Sequence, residues 1–266
     1  MKEKEETAHT IKAEELAKQQ KEISVSEFFA KNRHLLGFDN PMRALLMTVK
    51  EAVDNSLDAC AEIKVLPEVS VHIKQTAESR YRISIEDNGP GIVKEQIPRV
   101  FGKLLYGSKF HHLRQSRGQQ GIGISASVLY AQLTTGKATK ITSRTDPKKP
   151  AHYYELQIDT KRNEPKIITE RETEWKKDHG TKVELELEGK YQKGKQSVDE
   201  FIKQAAIVNP HARFTLLTPD NEKIEFPRVI TQLPAEAKEI KPHPYGTEVG
   251  TLIRMLDETS SRTLQG

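Results

Sequence analysis

The segment from Asn40 to Ile63 constrains the fold more than any other part of the chain. Asparagine followed by proline is typical of a helix start, because asparagine caps free backbone N–H groups and proline suits the first turn. Helical spacing then places two sets of side chains on two faces: the apolar Val49, Val53, Leu57 and Cys60, and the polar Glu51, Asn55 and Asp58. A helix with one apolar face must pack against a second layer, so this segment predicts a layered fold.

The rest of the patterned sequence mixes strands with helices. Two runs of alternating apolar residues follow the helix and predict strands with one buried face: Val69, Val71 and Ile73, then Tyr81, Ile83 and Ile85. Further strands are predicted in KATKITSRT, AHYYELQI, GTKVELELEG and ARFTLL, and further helices in VFGKLLY, Ile122–Leu133 and SVDEFIKQAAIVN. Because some strands come in adjacent pairs, the pattern favours an α/β sandwich with a mixed sheet over a fully parallel sheet.

Three regions of the chain differ in composition. Residues 1–22 contain five Lys, six Glu and few apolar residues, which predicts a charged N-terminal arm. Residues 23–228 carry the hydrophobic patterning and are expected to form one domain. Residues 229–266 begin with a stretch rich in Pro and Lys, and we expect a linker followed by the start of a further, truncated domain.

Composition excludes several classes of protein. Cys60 is the only cysteine, so an intramolecular disulfide framework and a thiolate-rich zinc site are excluded. No apolar run approaches the ~20 residues that a membrane helix needs, and the N-terminus lacks the apolar stretch of a signal peptide. We therefore expect a cytoplasmic protein with no membrane partner. The net charge of +4 is weak support for an anionic partner.

The polar face of the long helix suggests a metal-assisted reaction. Its carboxylates have no basic partner four residues further on, so a cation such as hydrated Mg²⁺, which prefers oxygen ligands, would relieve their repulsion. Glu51 lies one turn from the amide of Asn55, and metal-assisted hydrolysis needs one group to hold the ion and another to activate water. The alternative is an exposed acidic face without a ligand.

The turn after the second predicted strand suggests a site for a flat ring. Asp87, at the carboxyl end of this strand, is placed to accept a hydrogen bond from an amino group of a ligand. Gly89 and Gly91 would allow the backbone to approach the ring closely. Thr181, at the start of a later strand, would share the same amino group or a bridging water. The alternative is an ordinary turn between a strand and a helix.

The glycine-rich segment RGQQGIG, residues 117–123, directly precedes a predicted helix and suggests an anion site. Glycines at a helix N-terminus leave backbone N–H groups free to face an anion, which the helix dipole also attracts. Residues 96–145 include eight Lys or Arg and no acidic residue, which favours a triphosphate as the ligand. The better candidates for phosphate contact are Lys109 and the backbone of Gly118–Gly123, ahead of Arg114, Lys137, Lys140 and Arg144. The alternative is that these basic side chains point in several directions and only keep the surface soluble.

Four motifs stand in a fixed order: E-x-x-D-N-x-x-D, D-N-G-x-G, the glycine-rich segment and H-G-T. In that order they resemble the ATP-binding domain of the GHKL superfamily of ATPases. Longer stretches are similar to the B subunits of archaeal type II DNA topoisomerase VI: SEFFAKNRHLLGFDNPMRAL, EAVDNSLDAC, LLYGSKFHHLRQSRGQQGIGISASVLYAQLTTGK and KPHPYG. The likeness runs from Ser24 to Gly246. It implies a two-layer α/β (α+β) sandwich with a mixed, mostly antiparallel sheet and helices on one face.

The resemblance implies ATP and Mg²⁺ as cofactors and a role for each matching residue. Glu51 would be the general base that polarises the attacking water, and Asn55 would bind Mg²⁺ and touch the phosphates. Asp87 would hold the adenine amino group, with support from Thr181. The floor under the adenine would be shaped by Gly89 and Gly91. The remaining nucleotide contacts would come from Ser108, Lys109, Gly118, Gln119, Gln120, Gly121, Ile122, Gly123, Ile124 and Ser125.

The resemblance also implies a function and partners. The chain would be the ATP-hydrolysing subunit of a DNA topoisomerase, in which ATP binding closes a homodimer gate around DNA and hydrolysis reopens it. Residues 1–22 would exchange between the two subunits. A separate A subunit would cleave the DNA, in a heterotetramer that relaxes or decatenates it. Such B subunits continue into a transducer domain whose lysine reaches the γ-phosphate, and we expect this chain to stop before that lysine and to bind nucleotide with slow or absent hydrolysis.

Two other functions are compatible with the motifs. A stand-alone nucleotide-dependent clamp or regulatory module would need no topoisomerase A subunit, and co-purification of an A subunit would separate the two functions. A histidine-kinase catalytic domain would transfer phosphate to a histidine of a partner. The long strand pairs near AHYYELQI and VELELEG and the glycine-rich segment argue against a kinase.

Overall fold

The computed structural model describes residues 23–107, 122–235, 244–261 and 263. Its α-helices are α1 Val25–Lys31, α2 Pro41–Glu62, α3 Ile97–Gly102, α4 Gly123–Thr135, α5 Val198–Val208 and α6 Val249–Glu258. Its strands are β1 Glu68–Ala77, β2 Arg80–Glu86, β3 Thr139–Arg144, β4 Ala151–Asp159, β5 Glu164–Thr173, β6 Gly180–Glu188, β7 Arg213–Leu217 and β8 Lys223–Phe226. Within these ranges, no helix has the length and apolar character required to cross a membrane.

The eight strands of the described residues form one sheet in the order β5-β4-β3-β6-β2-β1-β7-β8. Strands β1 and β7 are parallel, and every other neighbouring pair is antiparallel. The predicted mixed, mostly antiparallel sheet is therefore confirmed. The sequence pattern does not predict β5 or β8. These are the two edge strands. No alternation of period two marks β5, which is exposed or half-buried on both faces, and β8 alternates over only four residues, which is short for a strand signal.

Helices cover one face of the sheet. Helix α2 packs on β1, β2 and β6, and α4 packs on β3, β4 and β6. The strand side chains that face these helices are buried, including all six apolar residues of the two predicted alternating runs. The same face of the neighbouring strands contributes Ile141, Tyr154, Leu156, Val183, Leu185 and Leu187. The opposite face carries charged pairs such as Arg82 with Glu186. The two-layer sandwich is confirmed.

Helix α2 begins where the sequence predicts. The side chain of Asn40 accepts the N–H of Arg43 at 2.9 Å, and Pro41 occupies the first turn. The predicted apolar face is buried at Val49, Val53, Leu57 and Cys60. Ser56 of α2 also donates its hydroxyl to Asp87 Oδ2 at 3.0 Å, so the helix is joined directly to the turn that follows β2.

Residues 227–235 leave the sheet without regular secondary structure. Arg228 fastens this segment, because its Nε donates to the carbonyl of His211 at 2.9 Å. The N–H of Val229 adds a bond to the carbonyl of Pro210 at 2.8 Å. The division of the chain into an arm, a domain ending at residue 228 and a linker stays a prediction.

Candidate functional site

A cavity of about 1150 Å³ lies between α2, the start of α4 and the turn that follows β2. Eight of the predicted site residues line it: Glu51, Asn55, Asp87, Gly91, Ile122, Gly123, Ile124 and Thr181. Two others lie beside it: Gly89, whose N–H donates to Asp87, and Ser125, whose hydroxyl donates to the Ile122 carbonyl. The predicted contacts that fall outside the described residues are Ser108, Lys109, Gly118, Gln119, Gln120 and Gly121.

Three hydrogen bonds hold the carboxylate of Asp87 at the cavity wall. Its Oδ1 accepts the backbone N–H groups of Gly89 at 2.9 Å and of Thr181 at 3.0 Å, and its Oδ2 accepts the hydroxyl of Ser56 at 3.0 Å. Asp87 is 7% exposed, and this burial raises the pKa of its carboxyl above the ordinary value, although the three hydrogen bonds oppose the shift. A carboxylate accepts about four hydrogen bonds, so Asp87 has capacity for one donor in the cavity.

The glycines of this turn are required by its packing. Gly91 has a φ of +72°, and a Cβ there would lie 2.6 Å from the carbonyl carbon of Arg144 in β3. A Cβ on Gly89 would lie 3.2 Å from the Cβ of Ala59 in α2. Position 91 therefore needs glycine to fit against β3, a reason that holds without any ligand, whereas a side chain at position 89 would require a small shift of α2. The role of these two residues under a flat ring stays a prediction.

Glu51 lies where α2 meets the first turn of α4. A Cβ on Gly123 would lie 2.5 Å from Glu51 Cδ, so the carboxylate adjoins the N-terminus of α4. The positive end of the helix dipole favours a negative group there by about 0.3–1 kcal/mol. Asn55, one turn further along α2, lines the same cavity. A carboxylate and an amide oxygen are thus presented side by side, as the sequence predicts.

The expected crowding of like charges on the acidic face of α2 is partly relieved by a lysine that precedes its partner. Lys50 lies four residues before Asp54, and its ammonium is 2.9 Å from Asp54 Oδ2 and 3.7 Å from Glu51 Oε1. Burial acts to lower the pKa of Lys50, but its pairing with these two carboxylates outweighs burial and raises the pKa above the ordinary value. Lys50 therefore relieves the charge repulsion between Glu51 and Asp54.

The donor set of the cavity suits a hydrated ion. Across the described ranges, no group of three or more His, Cys, Asp or Glu side chains is arranged to hold a metal. Glu51 and Asn55 contribute oxygen donors to the cavity. Mg²⁺ prefers oxygen, keeps several waters and usually takes its other ligands from substrate phosphates. These residues fit a magnesium ion that is bound together with a phosphate compound.

Three of the eight basic residues between positions 96 and 145 are engaged elsewhere. Lys137 pairs with Glu186 on the open face of the sheet, and Lys140 lies 4.0 Å from a glutamate of β4. The guanidinium of Arg144 donates to backbone carbonyls in the segment between β5 and β6, at 3.1 and 3.2 Å. This agrees with their low rank as candidates for phosphate contact.

Several residues that build the site are missed by sequence reasoning. Ser56 fixes Asp87, and its only signal is a serine within the apolar stripe of α2. Asp58, noted on the polar face without a role, lines the cavity and is buried. Part of the apolar wall comes from segments outside the α-helices and strands, through Leu35, Leu36, Phe38, Ile92 and Tyr106, and Val100 of α3 adds to it. No sequence signal separates such residues from ordinary core residues.

The layered fold brings an acidic helix, an aspartate turn and a glycine-started helix together at one cavity, the arrangement expected of a nucleotide-binding ATPase domain. The family model described as "Histidine kinase-, DNA gyrase B-, and HSP90-like ATPase" matches residues 44–189, and the chain belongs to this family. This is the GHKL-type class that the motifs predict.

Curated relatives and a solved structure show which individual proteins the chain is similar to. The chain is 58% identical over 253 residues to the B subunit of type 2 DNA topoisomerase 6 from Methanococcoides burtonii, covering 95% of this chain and 41% of the relative. It is 54% identical over 246 residues to the protein of the same name from Archaeoglobus fulgidus, covering 92% of this chain and 41% of the relative. The chain thus spans 41% of the length of these relatives. Among solved structures, the Aquifex aeolicus MutL ATPase domain complexed with ADP matches with a TM-score of 0.47 and 23% identity, over 70% of this chain and 64% of that one.

Proposed function

We propose that the chain binds ATP with Mg²⁺ in the cavity and is the ATP-binding part of the B subunit of a type II DNA topoisomerase. The observation that carries the first half is that Glu51, Asp87 and Gly123, distant in sequence, line one cavity of about 1150 Å³. The second half is supported by family membership and by 58% identity to the B subunit of a type 2 DNA topoisomerase 6.

Asp87 would select the base. Three protein donors already bind its carboxylate, and the exocyclic amino group of adenine would be the fourth. Thr181 would support the same end of the ligand, because its N–H fixes Asp87 and its side chain borders the cavity. Apolar residues of the wall, among them Ile85 and Val183, would cover the ring.

The phosphates would lie toward α4. Its N-terminus at Gly123 offers backbone N–H groups and the positive end of the helix dipole. Asn55 would hold Mg²⁺, which when bound neutralises charge on the phosphates. Glu51, which lines the same cavity, would accept a proton from the attacking water. Further phosphate contacts are proposed from sequence alone at Ser108, Lys109, Gly118, Gln119, Gln120 and Gly121.

Calorimetry with a non-hydrolysable ATP analogue, with and without Mg²⁺, tests nucleotide binding. We expect binding that Mg²⁺ strengthens, and we expect Asn55→Ala to lose most of the Mg²⁺ effect. Gln75→Ala is a matched control, because this amide is exposed on β1. Absence of binding, or an unchanged Mg²⁺ effect in Asn55→Ala, would contradict the assignment.

The topoisomerase role is tested with the full-length subunit. Together with a DNA-cleaving A subunit, it should relax or decatenate DNA only when ATP is present. Sedimentation should show a homodimer in the presence of the ATP analogue and Mg²⁺. A protein that stays monomeric with the analogue, or that neither binds an A subunit nor supports relaxation, would favour the stand-alone module instead.

A further inference from the structure

We propose that His179 and Lys177 are positioning residues that set the conformation of the turn carrying Asp87, and that discrimination between adenine and other bases depends on them. Both belong to the segment between β5 and β6 that ends in the H-G-T motif. This inference rests on the proposed function, since it concerns how the same cavity would recognise its base.

His179 fixes the far side of the turn. Its Nδ1 lies 2.8 Å from the carbonyl oxygen of Gly89. A carbonyl oxygen only accepts, so Nδ1 carries the proton and donates. The N–H of the same glycine donates to Asp87 Oδ1 at 2.9 Å. The imidazole therefore holds Gly89 in place. The backbone of this residue orients the Asp87 carboxylate, and as a glycine it would otherwise rotate freely.

Lys177 fixes the near side of the turn. Its ammonium donates to the backbone carbonyl of Asp87 at 3.1 Å and lies 3.1 Å from Glu86 Oε1. The N–H of Asp87 donates to the carbonyl of Thr181 at 2.9 Å. The main chain on both sides of the Asp87 side chain is thus bound to the segment of Lys177–Thr181.

Neither side chain lines the cavity, so both would affect a bound base through Asp87 and its turn. The segment also fits the turn closely, because Gly180 has a φ of +137° and a Cβ there would lie 3.1 Å from the carbonyl carbon of Asp87. A shift of the turn would move the Asp87 carboxylate relative to the cavity while leaving the residues at the α4 end in place. Base selection would weaken, and binding of the phosphates would not.

The first test compares the affinities for ADP and IDP, with Mg²⁺, by calorimetry. IDP carries a carbonyl where ADP carries the amino group. The dissociation constant for IDP divided by that for ADP therefore reports the contact with Asp87. We expect His179→Ala to lower this ratio by about three- to tenfold. A loss of stability alone reduces the amount of active protein and leaves the ratio unchanged.

Two further variants sharpen the result. Asparagine places its Nδ2 the same number of bonds from Cα as the Nδ1 of histidine, so His179→Asn should restore much of the ratio. His72→Ala is the control, because this histidine is exposed on β1, on the open face of the sheet. If the wild-type chain prefers ADP and His179→Ala leaves the ratio unchanged, the positioning role is wrong and the proposed function is not affected.

The second test needs no nucleotide. Amide hydrogen exchange at Gly89 and Thr181, the two N–H donors to Asp87, should be faster in His179→Ala and in Lys177→Met, and unchanged in His72→Ala. Unaltered exchange in both variants would overturn the proposal. A wild-type chain that binds ADP and IDP equally would instead contradict the adenine role of Asp87 in the proposed function, whatever the exchange shows.

Discussion

Gly123, the first residue of α4, and the carboxylate of Glu51 share a space that admits no side chain. A Cβ on this glycine would lie 2.5 Å from Glu51 Cδ and 2.9 Å from Glu51 Cγ. The absence of a side chain at position 123 therefore allows the carboxylate to sit at the N-terminus of α4. The acidic helix and the glycine-rich segment are coupled at this contact, which places the proposed general base beside the proposed phosphate site.

Gly123→Ala should destabilise the folded chain by at most about 1 kcal/mol, because the methyl group must displace the flexible end of the Glu51 side chain while alanine favours the helix. The cost should shrink in a Glu51→Ala background, where the space is empty, so the two substitutions should show a coupling energy of at least about 0.5 kcal/mol. Urea unfolding of the four proteins gives this value. Gly250→Ala is the control, since a Cβ there meets nothing within 4 Å. Additive effects of the two substitutions would show that the two groups do not compete for the same space.

Glu51→Ala should leave nucleotide binding intact and remove hydrolysis in the full-length subunit. A positioned general base contributes about 10²–10⁴-fold to the rate, so turnover should fall by that factor. A phosphate-release assay measures the rate, and calorimetry measures the affinity. Glu184→Gln, on the open face of the sheet, is the matched control. Turnover close to wild type in Glu51→Ala would mean that another group activates the water.

Asp87→Asn should strongly weaken nucleotide binding while preserving the fold. The amide oxygen can still accept the N–H groups of Gly89 and Thr181, and the amide NH₂ can donate to the Ser56 hydroxyl. The NH₂ would then face the cavity in place of an acceptor, so the amino group of adenine loses its partner. Affinity for ADP should fall by about 10- to 100-fold or more. Unchanged affinity by calorimetry would refute the assignment of the adenine end.

Local periodicity explains how much of the fold the sequence predicts. Helix α2 follows from the Asn40 cap and from apolar spacing within one segment, and β1 and β2 follow from alternation. The edge strand β5 carries no such pattern, and in β8 the alternation extends over only four residues. Their place in the sheet depends on pairing with β4 and β7, which residues close in sequence do not reveal.

The residues of the site also fall into two groups, those that the sequence predicts and those that it does not. Glu51 and Asp87 are predictable because their own side chains bear the chemistry, and the order of the motifs implies that they meet. Ser56 and His179 act through hydrogen bonds to distant parts of the chain, so their roles appear only in the folded structure. The prediction for α2 considers only residues that follow each carboxylate, so it misses Lys50, which precedes its partner.

The ionisation of Asp87 should set a pH dependence of stability in the nucleotide-free chain. Burial raises the pKa of its carboxyl in the folded state above the ordinary value of 3.8, which applies when the chain is unfolded. As the pH rises above 3.8, the unfolded chain loses this proton first, so the folded chain binds more protons and its stability falls until the raised pKa is passed. Asp87→Asn has no proton to lose at this position.

The free energy of unfolding of Asp87→Asn, relative to that of the wild-type chain, should therefore increase between pH 4 and pH 7. Urea unfolding at several pH values without nucleotide measures this difference, and other titrating groups cancel because both proteins contain them. The control is Asp146→Asn, because Asp146 lies in the turn between β3 and β4 and does not line the cavity. A constant difference between wild type and Asp87→Asn would mean that the three hydrogen bonds to the carboxylate fully offset its burial. If the free energy of unfolding of Asp87→Asn rises relative to wild type toward neutral pH, the ionised carboxylate at this position lowers the stability of the wild-type chain.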